Sequence, residues 1–130
     1  MKKILTTPIL LLLFTLMFSS TAYAEWSELL SDVNGKNIYI DLDKITKQNG
    51  YIYWSNLVDY HKQDEFGDLS HIAYQKGDCK LFRFKHLNFS YYKEPMGAGE
   101  NLDMSPSDKW IYPSPNSIIE YVLNFVCSIK

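Results

Sequence analysis

Residues 51–61 read YIYWSNLVDYH, and the fold turns on them. Aromatic and β-branched side chains dominate the stretch, and they favour a strand because their bulk packs well on a pleated surface. Strict alternation gives it two faces. Ile52, Trp54, Val58 and Tyr60 share one, interrupted by Asn56, while Tyr51, Tyr53, Ser55, Leu57 and Asp59 take the other. The rest of the chain must supply its partners.

Upstream, residues 25–45 read EWSELLSDVNGKNIYIDLDKI, two strands joined by Asn34-Gly35, a pair that supplies the positive φ angles of a hairpin turn. In the second of them Ile38, Ile40 and Leu42 alternate with Tyr39, Asp41 and Asp43, so one face is apolar. Residues 47–50, KQNG, make another turn that again ends in Asn-Gly. Downstream, KQDEFGD (62–68) is a polar loop, and LSHIAYQKG (69–77) returns as a partner strand. In CKLFRFKHLNFSYY (79–92) the apolar parity shifts: Phe82 and Phe84 alternate with Arg83 and Lys85, but Leu87, Phe89 and Tyr91 carry the apolar face further on. One extra residue must be absorbed, either by a β-bulge near Lys85-His86 or by the strand leaving one sheet for another.

The period changes at the C-terminus. Ile118, Ile119, Val122, Leu123, Phe125, Val126 and Ile129 recur at three- and four-residue steps, the signature of an amphipathic helix. Ser114 suits the N-cap and Pro115 the first helical position, where a missing N–H costs nothing. The expected fold is α+β: a multi-stranded antiparallel sheet with one C-terminal helix packed on one face.

The first 24 residues read as an export signal rather than part of that fold. Met1-Lys2-Lys3 is a basic head, an apolar run follows, and Ala22 and Ala24 occupy the small-residue positions of a cleavage site. The mature chain is expected to be residues 25–130, one domain, periplasmic or secreted. Position 25 is Glu, not the cysteine that a lipoprotein would carry there, so an unlipidated product without a membrane span is expected. The export pattern fits a bacterium better than a eukaryote. Cys79 and Cys127 are the only cysteines, and an even count in a small exported domain reads as a disulfide, pinning the helix end to the start of the long aromatic strand.

Charge narrows the function. Loss of Lys2 and Lys3 leaves 11 basic residues against 15 acidic ones, a net charge of −4, with no basic stripe. Nucleic-acid binding needs clustered Lys and Arg and is not expected. The stretch YYKEPMGAGENLD (91–103) holds Gly97 and Gly99 beside charged residues, but their spacing matches neither the dinucleotide fingerprint nor the phosphate loop, so it reads as a turn. His61 and His71 flank the 62–68 loop and His86 sits by the shift in parity; they read as ordinary surface histidines, since zinc wants three or four convergent ligands. No free cysteine and no Gly-x-Ser-x-Gly elbow offers a nucleophile. Asp41/Asp43 and Asp64/Glu65/Asp68 read as solvated turn-edge carboxylates, so neither an enzyme nor a cofactor is expected.

Across the chain, Trp26, IYID (38–41), the set Trp54, Leu57, Asp59 and Tyr60, Asp78-Cys79, the run FSYYKEPMGAGE (89–100), Trp110, PSPNS (113–117) and Val126-Cys127 occur in order. In these the chain resembles the surface-adhesin protein E family, small exported domains of Gram-negative bacteria. The resemblance implies a helix held against the concave side of the sheet by the disulfide, and a binding protein rather than an enzyme. It further implies capture of host extracellular-matrix or serum proteins, with homodimers among the states. At position 25 the chain departs from the lipid-bearing cysteine of the namesake adhesin.

Three readings follow: a binding module for host or envelope proteins, a periplasmic inhibitor or envelope accessory protein, and a hydrolase or metal protein. For the first, Tyr39, Tyr51 and Tyr53 are the candidate binding face, since they point away from a core containing Ile38, Ile40, Ile52 and Trp54. Tyrosine suits an interface because it joins a large rigid apolar area to a polar tip. Arg83 and Lys85 supply charge to the same or a neighbouring surface. The competing reading is that these rings only stiffen exposed strands through cross-strand contacts.

Overall fold

Both Asn-Gly pairs reverse the chain. Asn34 and Gly35 have φ of 53° and 73°, and Asn49 and Gly50 have φ of 53° and 82°. These are the left-handed angles of the two-residue turns whose twist matches that of paired strands. The first joins β1 (Ser27–Val33) to β2 (Lys36–Ile40), and the second joins β3 (Thr46–Gln48) to β4 (Tyr51–Tyr60). β5 (Ser70–Asp78), β6 (Arg83–Tyr92), β7 (Asn101–Met104) and one α-helix, α1 (Ile118–Ser128), complete the elements of the described residues. This computed structural model describes residues 25–130, so the export signal expected at 1–24 lies outside the described residues.

The strands form one seven-stranded antiparallel sheet in the order β1-β2-β4-β5-β6-β7, with β3 paired to the start of β4. The α+β architecture read from the sequence is therefore present. Two local readings change. β3 is a strand where only a turn was expected; all three of its residues are exposed, so no apolar alternation marks it. Leu42 leaves the apolar face of β2, because the strand ends at Ile40 and residues Leu42–Lys44 form a 3-10 turn.

The parity shift in β6 is a bulge. Gln75 pairs with His86 and Tyr74 with Asn88, so Leu87 is the extra residue, one position beyond the expected Lys85-His86. It is exposed rather than part of the apolar face. Phe84 and His86 before the bulge, and Phe89 and Tyr91 after it, consequently all face the helix.

The helix starts at Ile118 with Ser117 as N-cap, three residues later than the expected Ser114. Asn116 has a φ of 62°, which no helix interior accepts, so the chain cannot be helical from Pro115 onward. Ser117 Oγ instead accepts from Glu120 N–H at 3.2 Å, while Asn116 N–H donates back to Glu120 Oε1 at 3.2 Å. That reciprocal arrangement satisfies backbone donors otherwise orphaned at a helix start. Val122, Leu123 and Val126 then pack on Ile38, Ile40, Ile52, Trp54 and Phe84.

Gly77 makes the closest part of that packing feasible. A Cβ there would lie 2.8 Å from Trp54, 3.0 Å from Ile52 and 3.1 Å from Leu123. The Cys79–Cys127 disulfide, with Cα atoms 5.7 Å apart, ties the last helical turn to the residue after β5.

On the opposite face the turn after β6 covers Leu57 and Ile72. Gly97, at φ +69°, sits so close that a Cβ would fall 2.7 Å from Ile72 and 3.3 Å from Leu57. Backbone N–H groups of Met96 and Gly97 donate to Asp59 Oδ1 (2.8 Å) and Ser70 Oγ (2.9 Å). The glycine-containing stretch is a turn whose amides serve the fold.

Two stability tests follow. Gly77→Ala forces Trp54 or Leu123 aside and should cost about 1–3 kcal/mol, the usual range for overpacking, read as a lower urea midpoint. Replacing Cys79 and Cys127 together by serine opens a loop with a sequence separation of 48. The chain-entropy model then gives a loss of up to about 4 kcal/mol, with unfolding under reducing conditions unchanged from that variant.

Candidate functional site: an aromatic and cationic sheet face

Away from the helix, alternation lays rings and cations side by side. Tyr53 pairs with Lys76, and Lys76 pairs in turn with Lys85; one step along, Asp78 pairs with Arg83. Lys76 Nζ lies 4.1 Å from the centroid of Tyr51 and 5.8 Å from that of Tyr53. Tyr74 stacks on Tyr53 at 6.3 Å. Trp110 closes the group. Its neighbour Ile111 bridges to Phe84 through two backbone hydrogen bonds of 2.9 and 2.7 Å. That bridge carries the indole to within 5.8 Å of Tyr51, 4.3 Å of the Arg83 guanidinium carbon and 4.8 Å of Lys85 Nζ. Each such cation–ring contact is worth roughly 0.5–1 kcal/mol when exposed.

The cations differ in how they are balanced. Arg83 Nε donates to Asp78 Oδ2 at 2.9 Å. Burial alone would raise the Asp78 carboxyl, but hydrogen bonds from Arg83, Leu81 and Lys80 with the guanidinium charge outweigh it, holding the group below the usual carboxylate range. Lys85 pairs at 3.0 Å with Asp108, whose side chain is 93% exposed. Lys76 has no carboxylate oxygen within 4.0 Å among the described residues.

Of the residues singled out from sequence, the structure brings together Tyr51, Tyr53, Arg83 and Lys85. Tyr39 shares their side of the sheet, but its register partner is Leu57, beneath the Gly97 turn. It makes none of these ring contacts. Tyr74, Lys76 and Trp110 were not anticipated as site residues. Tyr74 and Lys76 carried a usable signal, because they alternate with buried Ala73, Gln75 and Gly77. Trp110 carried none, since its place depends on a bridge across 27 residues of chain.

A family model described as surface-adhesin protein E matches residues 26–128. The chain belongs to the surface-adhesin protein E family. Among solved structures, crystal form II of Haemophilus influenzae protein E aligns with a TM-score of 0.64 at 16% identity, over 82% of this chain and 90% of that one. Another structure of H. influenzae protein E gives 0.55 at 18% identity, over 82% and 86%. Protein E from non-typeable H. influenzae gives 0.54 at 17% identity, over 83% and 78%. At such identities the likeness is one of fold. No curated protein matches the chain. No helix among the described residues is long and apolar enough to cross a membrane.

In this member of the surface-adhesin protein E family the expected turn-edge carboxylates are not all solvated. Asp41 is 2% exposed, and Asp68 is buried beside Lys93 Nζ at 2.9 Å. Asp64 staples its own loop, accepting from Phe66 N–H at 3.0 Å and Asp68 N–H at 2.8 Å. His61 and His71 engage different partners. His61 contacts Asn37 Oδ1 at 3.2 Å and Asp32 at 3.6 Å. His71 is not the surface histidine expected: it lies on the helix side, hydrogen-bonded through Nδ1 to the Tyr60 hydroxyl and stacked on Phe89 at 4.6 Å. Burial, then the Lys36 charge and His86, lower the His71 pKa to about 4, and burial lowers that of His86. Burial, with Tyr91, raises the Tyr60 phenol. Both groups are therefore neutral at pH 7, and the direction of the bond between them follows the His71 tautomer.

Acid should expose this arrangement. Below about pH 6.5 the unfolded chain takes up the His71 proton, whereas the folded chain does so only near pH 4. Stability is full above that window and falls as pH drops through it, by about 3 kcal/mol in all. His71→Phe loses the Tyr60 hydrogen bond at every pH, but its urea midpoint should decline less steeply between pH 7 and 4 than that of the parent.

Proposed function

We propose that the chain is an exported, non-enzymatic binding domain that holds a protein partner through the face built by Tyr51, Tyr53, Tyr74, Lys76, Trp110, Arg83 and Lys85. The observation that carries this reading is the convergence of four rings and three cations on the side of the sheet that the helix leaves open. Trp, Tyr and Arg are the side chains that dominate binding energy at interfaces. Lys76 without a carboxylate, and Lys85 held only by an exposed aspartate, suit a partner that brings acidic groups to the rings. A host extracellular-matrix or serum protein, or an envelope protein of the cell itself, fits that description. The family supports binding over catalysis, and so does the engagement of Asp64, Asp68 and Asp78 in turns and ion pairs.

The open outer edge of β7, with Leu102 64% exposed and Met104 47% exposed, favours a second use, pairing with another copy of the chain. Sedimentation should then show a dimer that Leu102→Lys dissolves.

Partner binding is tested with the variant Tyr53→Ser/Lys76→Glu/Trp110→Ser. It should keep the far-UV spectrum and cooperative unfolding of the parent. Its affinity for a protein captured from host-matrix, serum or outer-membrane fractions should fall by about 2 kcal/mol or more, while Tyr39→Ser changes little. Undiminished binding by the folded triple variant would show that the rings only stiffen the sheet. Export without lipid predicts a mature mass beginning at Glu25, recovered from periplasm or medium; recovery only in membranes with an intact N-terminus would contradict it.

A further inference from the structure

On the other face of the sheet the helix leaves part of its floor uncovered. A cleft of about 500 Å³ opens between the first turns of α1, the β1–β2 hairpin and the middle of β4, β5 and β6. Ile118, Ile119 and Val122 form its helical wall, and Val58, Ala73 and Phe89 its sheet wall. Its size lies within the roughly 300–1,000 Å³ of small-molecule sites.

Two polar atoms in this apolar setting have no partner. Asn56 Nδ2 donates to the Tyr39 carbonyl at 3.2 Å, which fixes Asn56 Oδ1 as the acceptor for Trp54 Nε1 and for Gln75 Nε2, the latter at 2.9 Å. Gln75 must present its NH₂ to that oxygen, because turning the amide over would set two oxygens face to face. Gln75 is 3% exposed, and its Oε1 has no hydrogen-bond partner among the described residues. The same holds for His86 Nδ1. Gln75 and His86 are register partners, directly opposite each other on β5 and β6, and both line the cleft. Each unsatisfied buried group costs roughly 1–3 kcal/mol, which favours a shift of Gln75 or His86 that presents the pair to a guest in the cleft, since neither atom is open to solvent here.

The surroundings select the head group. Among the described residues no Asp or Glu lines the cleft, and Lys36 is its one charged residue. A carboxylate would set its lone pairs against Gln75 Oε1. An ammonium would lose its water among apolar walls and face Lys36. A hydroxyl does neither: it donates to Gln75 Oε1 and either accepts from or donates to His86 Nδ1, according to the tautomer.

We propose that this cleft binds an uncharged, largely apolar alcohol or phenol, its hydroxyl seated between Gln75 and His86 and its hydrocarbon against Ile118, Ile119, Val122 and Phe89. The site is independent of the ring-and-cation face. Bridging water is the competing occupant, since buried waters satisfy such pairs elsewhere.

The test titrates the purified chain with 2-naphthol and 1-octanol, and with octanoate and octylamine for comparison. The readouts are the NMR signals of the Gln75 side-chain amide and the His86 ring. The two hydroxyl probes should give saturable shifts at both groups, at least tenfold tighter than either charged probe. His86→Phe and Ile118→Trp, which remove the bonding atom and fill the cleft, should each weaken binding at least tenfold. Tyr53→Ser/Lys76→Glu/Trp110→Ser should leave it unchanged. Absence of a saturable shift, equal affinity for all four probes, or water contacts at Gln75 that persist through the titration would each overturn the proposal. If a cleft variant does not fold, the head-group series on the parent chain decides alone.

Discussion

Leu87, opposite the step from Tyr74 to Gln75, sets which side chains of β6 meet the helix. Side chains alternate with a period of two, so without the extra residue Phe89 and Tyr91 would turn to the open face and Asn88 and Ser90 toward the helix. With it, Phe84, His86, Phe89 and Tyr91 line one side as a continuous set of rings, with His71 packed among them. Arg83 and Lys85, before the bulge, keep the parity that puts them beside Lys76. The cleft beneath the helix thus depends on that single insertion, while the cationic ring face is set by the part of β6 before it.

The helix depends on the sheet in turn. Eleven residues make a helix that is marginal in water on its own. Its apolar side is held by the contact of Leu123 with the bare backbone of Gly77, and its last turn by the disulfide to Cys79. These restraints act near the β4 start, the β5 end and the helix C-terminal half. The helix start is instead held by its own cap, through Ser117, Glu120 and Asn116, and it is there that the sheet stays uncovered. The position of the cleft follows from where the fastenings are.

What the sequence revealed was whatever local chemistry dictates. The Asn-Gly turns, the alternation of β4, the parity break in β6, the helical period at the C-terminus and the cysteine pair all appear in short windows. The helix start was misplaced because Ser114-Pro115 and Ser117 are both good caps, and only the left-handed Asn116 between them separates the two. β3 escaped notice because nothing in it is buried. The burial of Asp41 and Asp68 depends on their tertiary surroundings, as does the arrival of Trp110 beside Arg83. The site was thus half legible: Tyr51, Tyr53, Arg83 and Lys85 by parity, and Trp110 not at all.

Tyr74, Gln75 and Lys76 show how closely the two faces are bound to each other. Tyr74 and Lys76 belong to the ring face, while Gln75 between them anchors the cleft. A slip of one residue in the β4–β5 pairing would bury Lys76 against Leu123 and expose Gln75, ending both sites and the core together. The buried bond from Gln75 to Asn56, on the helix side of β5 and β4, penalises that slip, because it crosses between the strands and a one-residue shift turns Gln75 to the other face. A polar side chain in the middle of the most apolar strand would be a poor choice if burial alone mattered. Asn56 is better understood as the residue that fixes the register, and the unbonded Gln75 Oε1 as what that fixing leaves buried beside the cleft.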